Sequence, residues 1–387
     1  PNIKDRLDFS CAVFDAGGKL CAQAAHVPVH LGSMAYAMKD VVGRQQWADG
    51  DMMVMNDPFM GGTHLPDVTV IAPVFIAGEL VAFVVNRAHH ANIGASTPGS
   101  MPVSCRLEEE GVLIKPQLLI KGGVNNESVW KTLAFDTGQK EGDFLGDFQA
   151  QVSANRAGVK RLSLLIEEMK VGAFLQGVVE LNSYARRLSR SALSVIPENR
   201  YKFKDVMDSD GFGNCAIVIS LSLDVCSDQI VLDFSGSSSQ VSGNINCPIS
   251  VTAAAVYYVF RCLMPEQTPA CAGAFEAIEV IAPQGSLVNA SYPSAVAAGN
   301  VETSTRIVDV ILGALAQAIP ELIPAASQGT MNNIAMGMCD EEGRWDYYET
   351  IAGGGGASSG RTGLSAVQSH MTNTLNTPIE SLEMHYP

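Results

Sequence analysis

Apolar and polar positions alternate with period two over residues 7–14, with Leu7, Phe9, Cys11 and Val13 on one face and Asp8, Ser10 and Ala12 on the other. Asp15-Ala16-Gly17-Gly18 supplies a turn, and residues 19–25 return as the partner strand. A second hairpin is predicted over residues 68–75 and 80–85, joined at Ala77-Gly78. Between the hairpins, residues 34–42 read as a helix, followed by Gly50-Asp51 and a loop from Asn56 to Gly62. The pattern then lengthens. Residues 147–196 place Leu162, Leu165, Ile166 and Met169 at helical spacing, and Pro197 marks the end of that stretch. Residues 215–225 and 229–234 read as strands, and residues 252–263 and 304–319 as buried helices. Thr303 or Ser304 is expected to cap the second of these, and Pro320 to close it. The Gly353-Gly354-Gly355-Gly356 run and the polar stretch to Ser365 read as a loop. The fold class expected is α+β, with antiparallel hairpins in the first third and helices and further strands after them. A division near residue 200 is expected, with a metal-site region over 1–200 and an α/β second half over 201–387.

Composition narrows the function. Of the 387 residues 47% are apolar and 17% charged, so most of the chain is expected to be packed. The net charge of −15 leaves no basic field for phosphates and excludes a nucleic-acid partner. No apolar run has the length of a membrane span; the strongest, near Val251 to Met264, is interrupted by Arg261. Nine scattered cysteines without a CxxC are expected to be reduced thiols of a cytoplasmic protein. No glycine cluster matches the GxxxxGK[ST] phosphate loop, there is no GxSxG elbow, and nothing marks Cys247 as a nucleophile.

Histidine carries the chemistry. Five of the seven histidines fall before residue 91. Gly61-Gly62-Thr63-His64-Leu65-Pro66-Asp67 leads into the second hairpin, and Asn86-Arg87-Ala88-His89-His90 leaves it. With a two-residue turn at Ala77-Gly78, antiparallel pairing puts Asp67 opposite Ala88 and Pro66 opposite His89, so His64, Asp67 and His89 converge at the hairpin's open end. Imidazole with carboxylate suits zinc, manganese or iron, and three protein ligands leave a position for a water whose pKa the metal lowers. Asp8, a carboxylate in an otherwise apolar strand at the open end of the first hairpin, is the expected fourth ligand, and His26 falls near the same end. A lone histidine at a strand end commonly bonds to backbone, whereas an HxxD paired across a hairpin with His-His points to a metal. His30 and His90 are candidate catalytic residues for proton transfer or ligand support, with a structural imidazole as the alternative for each. Asn300-Val301-Glu302-Thr303 offers a polar site at a helix N-terminus, which capping alone would also explain.

These stretches together resemble the hydantoinase B/oxoprolinase family, whose members include N-methylhydantoinase B subunits, the C-terminal half of 5-oxoprolinases, caprolactamase and alpha-type subunits of acetone and acetophenone carboxylases. The resemblance runs through Arg6-Leu7-Asp8-Phe9-Ser10-Cys11-Ala12, Val27-Pro28-Val29-His30-Leu31-Gly32-Ser33-Met34, the Gly61–Asp67 motif, Ala88-His89-His90, Pro98-Gly99-Ser100-Met101, Glu109-Glu110-Gly111, Ala154-Asn155-Arg156, Asp233-Phe234-Ser235-Gly236, Gly299-Asn300-Val301-Glu302-Thr303 and Met371-Thr372-Asn373-Thr374. It implies a divalent metal on Asp8, His64, Asp67 and His89, and a hetero-oligomer with a hydantoinase A-type subunit that binds ATP and phosphorylates the substrate carbonyl. The expected activity is ATP-dependent hydrolysis of a cyclic amide such as a hydantoin, 5-oxoproline or a lactam. The alternatives are an alpha-type carboxylase subunit and a non-catalytic scaffold for the ATP-binding subunit. Asn92 and Ala95 stand where the family has an acidic residue and a glycine, and Thr362-Gly363 where it has Asp-Gly, which leaves the substrate open. The chain begins at Pro1 without Met and stops at Tyr386-Pro387, so a member truncated at both ends is expected.

Overall fold

The computed structural model describes residues 2–24, 27–137, 141–339 and 344–385. The fold is α+β, as the pattern predicts. Strands β1 (Phe9–Asp15) and β2 (Leu20–Ala24) form the first hairpin, and helix α1 (Ser33–Val41) follows. Next come β3 (Met52–Met55), β4 (Asp67–Ile76), β5 (Glu79–His89), β6 (Gln117–Lys121) and β7 (Val124–Asn125). These seven strands make one antiparallel sheet in the order β2-β1-β5-β4-β3-β6-β7. The central strands are apolar on both faces because both are covered. Helices α2 (Glu127–Asp136) and α3 (Glu141–Met169) pack Trp130, Leu133, Phe148 and Val152 against Val54, Val68 and Val70 on one side. On the other, α1 sets Met34, Ala37 and Met38 against Met55, Ile71 and Phe83.

The helical stretch read as continuous over 147–196 starts earlier and is two helices, α3 and α4 (Val171–Leu193). The break is Lys170, whose φ of 72° ends α3 without the glycine or proline that would announce it. Both helices thereby lay Leu162, Ile166 and Phe174 on the sheet beside Val74 and Val84.

A second sheet follows from β8 (Asn199–Ser209), β9 (Cys215–Val225), β10 (Ile230–Asp233) and, after helix α5 (Ile249–Leu263), β11 (Ile278–Ile281), in the order β11-β10-β9-β8. Strand β9 buries Ile217, Ile219, Leu221, Leu223 and Val225 and turns Ser220, Ser222 and Asp224 outward. Its apolar face shares a core with α5 and with α6 (Glu302–Leu315). No side chain caps α6. The two residues expected to do so turn their hydroxyls to carbonyls, Thr303 to Ile245 O and Ser304 to Asn300 O at 2.7 Å. A ribbon of β12 (Asn332–Cys339) and β13 (Arg344–Ile351) and a C-terminal segment complete the chain. Among the described residues no helix is long and apolar enough to cross a membrane.

One irregularity in the second hairpin decides where its side chains point. The turn is Ala77-Gly78, as expected, but the register shifts between Val74 and Phe75, leaving Val81 as an extra residue on β5. Beyond this bulge Asp67 pairs with His89, not with Ala88. Side chains alternate faces, so the unbulged register would have put the Asp67 carboxylate and the His89 imidazole on opposite sides of the sheet. The bulge places them side by side.

Candidate metal centre

Three neighbouring strands present one polar row at the sheet's open end. Phe9 pairs with Ala88, and the His89 N–H donates to Asp8 O at 3.1 Å, so Asp8, His89 and Asp67 follow one another across β1, β5 and β4. His64 arrives from the preceding loop, which is clamped at many points. Asn56 donates to Leu65 O and Val112 O and accepts from the Ile114 N–H. Ser250 donates to Gly62 O. Gly61, with φ of 83°, passes so close to α1 that a Cβ would lie 2.1 Å from Ala37 N, which is why this turn needs glycine. Arg87 is fully buried and ties the loop to the sheet, donating to Thr69 Oγ1 at 2.8 Å, Ser33 Oγ at 2.7 Å and Gly61 O at 2.9 Å.

His64, Asp67 and His89 offer donor atoms that all lie within 4.8 Å of one another, and all three residues are buried. Asp67 Oδ2 lies 3.3 Å from His64 Nε2 and 3.4 Å from His30 Nε2, and Asp67 Oδ1 lies 3.3 Å from His89 Nδ1. Burial alone would raise the Asp67 carboxyl, but His64 and His30 beside it outweigh that and hold it well below the usual carboxylate range. Thr63 Oγ1 donates to the same carboxylate. Both ring nitrogens of His64, and Nε2 of His30 and His89, are buried without a hydrogen-bond partner. Orphaned buried polar atoms each cost about 1–3 kcal/mol. Two of them, Nε2 of His64 and Nε2 of His30, face the Asp67 carboxylate, and this donor set of imidazole and carboxylate oxygen fits a divalent zinc- or manganese-type ion.

The sequence-predicted residues divide into three groups. His64, Asp67 and His89 form the cluster. Asp8 and His30 line the same cavity, of about 30 Å³; Asp8 Oδ2 lies 3.9 Å from Arg6 Nη1, and His30 is oriented by a 3.0 Å contact of Nδ1 with Ser10 Oγ. His90 stands apart. It comes directly after His89, the last residue of β5, and lies on the other face, where it stacks edge-on against Phe148 and pairs with Gln151 Oε1 at 2.9 Å. Burial pushes its pKa down, and Gln151, Asn86 and Asn155 continue the bonds to Val68 O and Val70 O. That network fixes α3 on β4 and β5. His26 lies outside the described residues. Cys247 has its thiol pushed up to about 12 by burial, as an unreactive cysteine should.

Other residues of the cavity come from far along the chain: Asn300, Val301, Met331, Tyr348, Thr350 and Met371. Tyr348 stacks on the His89 imidazole, with centroids 5.1 Å apart and planes inclined by 12°. Arg6 anchors it, donating to Tyr348 O at 2.8 Å. No local motif marks Tyr348. Replacing it with alanine frees the His89 ring to rotate, and metal affinity should fall by roughly tenfold or more, read by competition with a chromogenic chelator. An unchanged affinity would show that the stacking does not orient His89.

A model of the hydantoinase B/oxoprolinase family matches residues 1–387. The chain belongs to this family. It is 40% identical over 394 residues to the 5-oxoprolinase of Dictyostelium discoideum, covering all of this chain and 30% of that protein. The ATP-dependent caprolactamase of Pseudomonas jessenii has the same fold, with a TM-score of 0.90 and 28% identity over 99% of this chain and 68% of that one. A nucleotide-free acetone carboxylase superposes with a TM-score of 0.87 over 99% of this chain and 54% of that one, but at 17% identity the likeness is one of fold alone. The chain thus spans about a third of the length of the curated 5-oxoprolinases it matches.

Glu110 is a further buried group near the centre. Its Oε1 accepts from Ser104 Oγ and from the N–H groups of Val296 and Ala297, while Oε2 has no partner. Burial raises its pKa from 4.5 to about 7, against the lowering effect of those hydrogen bonds. Between these values the folded metal-free protein keeps a proton that the unfolded chain has released. The contribution of Glu110 to stability is therefore fully present below 4.5 and is lost as the pH rises through about 7. The melting temperature of the metal-free protein, relative to its Glu110→Gln variant, should drop across that interval. A constant offset would contradict it.

Proposed function

We propose that this chain is the metal-bearing part of an ATP-dependent cyclic-amide hydrolase. The observation that carries the reading is the buried His64, Asp67 and His89 cluster with its orphaned imidazole nitrogens, in a chain of this family. These three residues would hold the ion, and Asp8 would complete the set by turning from Arg6 toward the cavity it already lines. When bound, a divalent ion supplies Lewis-acid polarisation and lowers the pKa of water. The protein's own residues do the rest. Asp67 brings the negative charge that retains the ion, and Arg87 and Asn56 fix the loop that presents His64. His30, held between Ser10 and Asp67, is placed to hold or move a proton at Nε2. His90 supports β5 from the other face.

ATP is used elsewhere, by a hydantoinase A-type subunit. The sequence has no phosphate loop, and the chain spans only 30% of the 5-oxoprolinase it resembles. The carboxylase reading has support only from fold, and the scaffold reading leaves the buried donor set without a purpose. The test is a screen of hydantoins, 5-oxoproline and lactams. Ring opening should require this chain, the ATP-using partner, ATP and a divalent metal together. Ring opening by this chain alone without ATP would overturn the proposal.

A further inference from the structure

The Asn300-Val301-Glu302-Thr303 segment is left over from the metal site, and capping does not explain it. The first N–H groups of a helix have no partner within the helix. At α6 no side chain supplies one, because Thr303 and Ser304 spend their hydroxyls on carbonyls. The Glu302 carboxylate is engaged by Thr330 and the Met331 N–H. Asn300, the residue that would serve next, is 5% exposed, and its Oδ1 has no partner. Asn300 and Val301 both line the cavity that holds Asp8, His30, His64, Asp67 and His89.

The segment is also rigidly placed. The N–H groups of Ala298 and Gly299 both donate to Asn244 O at 3.0 Å. A Cβ on Gly299 would lie 1.9 Å from Asn246 O, so the backbone here is pressed against its neighbour. Glu110 holds the turn's start through Val296 and Ala297. Asn300 therefore cannot relieve its buried acceptor by drifting to solvent.

A buried acceptor without a partner beside helix N–H groups that no side chain caps is the complement of one chemical group. A secondary amide in a small ring is held cis, so its N–H and C=O project from the same edge. We propose that Asn300 and the open first turn of α6 form the docking edge for a cyclic secondary amide, with Asn300 Oδ1 accepting the ring N–H and the helix N–H groups receiving the carbonyl oxygen. The inference rests on the cyclic-amide reading above and adds the residue that selects an amide over an ester. A ring lacking the N–H leaves Oδ1 buried and unpaired, and a site built around such a bond rejects that analogue.

The test uses the metal-loaded protein and titration calorimetry with two probes of matched size, 2-pyrrolidinone and γ-butyrolactone, which keeps the ring and carbonyl but has no N–H. The wild type should bind the lactam at least tenfold more tightly than the lactone. Asn300→Leu, nearly isosteric, should weaken the lactam by that factor and bring the two ligands level, at unchanged metal content. Asn300→Ser should do the same and covers the case in which the leucine variant does not fold. Absence of lactam binding, equal binding of both probes by the wild type, or intact discrimination in the variants would overturn the inference without touching ATP- and metal-dependent ring opening. Conversely, intact discrimination with no ring opening in the presence of the ATP-using partner would overturn the proposed function and leave this docking edge standing.

Discussion

Replacing His89 with alanine should strip the protein of its divalent metal and, with it, of ATP-dependent ring opening. His89 is where three supports meet. It pairs with Asp67 across the hairpin, its N–H binds Asp8 O, and Tyr348 stacks on its ring. Losing a residue that merely supports a ligand costs about 10–100-fold in affinity or activity; losing the ligand itself should cost more, so activity should fall below about one part in a hundred. The change also leaves Asp67 Oδ1 without its imidazole neighbour in a buried site, a penalty of about 1–3 kcal/mol in the metal-free protein. Elemental analysis and a coupled assay read the first two effects, and a melting curve the third. A His89→Ala protein that keeps a full complement of metal and its activity would remove the physical basis of the proposal.

The largest effect on stability should come from Arg87→Met. The methionine fills most of the same volume but strands Thr69 Oγ1, Ser33 Oγ and Gly61 O, each of which now accepts from a charged donor. Hydrogen bonds to charged groups contribute roughly 1.5–3 kcal/mol apiece. Burial works the other way, since the Arg87 pKa is lowered to about 10 by loss of solvent, and removing the charge relieves that strain. The net loss should be about 3 kcal/mol, a substantial part of a typical folding free energy, lowering Tm by about 4 °C. Because Gly61 O is one of the three acceptors, the loop bearing His64 loosens too, and metal affinity should fall in the same variant. An unshifted Tm would mean that the three contacts contribute no net stability.

The site was legible in the sequence as far as local pattern reaches. The hairpin, its Ala77-Gly78 turn and the convergence of His64, Asp67 and His89 follow from alternation and spacing. The register did not, because a bulge at Val81 leaves no mark in a run of apolar residues in which any one can be the extra. It was also a bulge that worked in favour of the expected site, bringing Asp67 directly opposite His89. The His-His pair looked like one feature, yet consecutive residues at a strand's end face opposite ways, and His90 belongs to the helix-packing side. Tyr348 and Asn300 join the cavity through contacts hundreds of residues apart, which periodicity cannot encode. Strand β8 leaves a weak signal in the sequence because it is the edge of its sheet, where Arg200, Lys202, Lys204 and Asp205 break up the apolar pattern. The split between α3 and α4 was hidden because Lys170 adopts a positive φ that glycine would normally signal.

X-ray absorption at the metal edge of the purified protein addresses the central claim most directly. One divalent ion per chain should be found, with two imidazoles and carboxylate oxygens in its inner shell at about 2.0–2.2 Å if the ion is zinc, and the imidazole scattering should shrink in His64→Ala. A protein without metal, or one whose ion sees only water and carboxylates, would contradict the account.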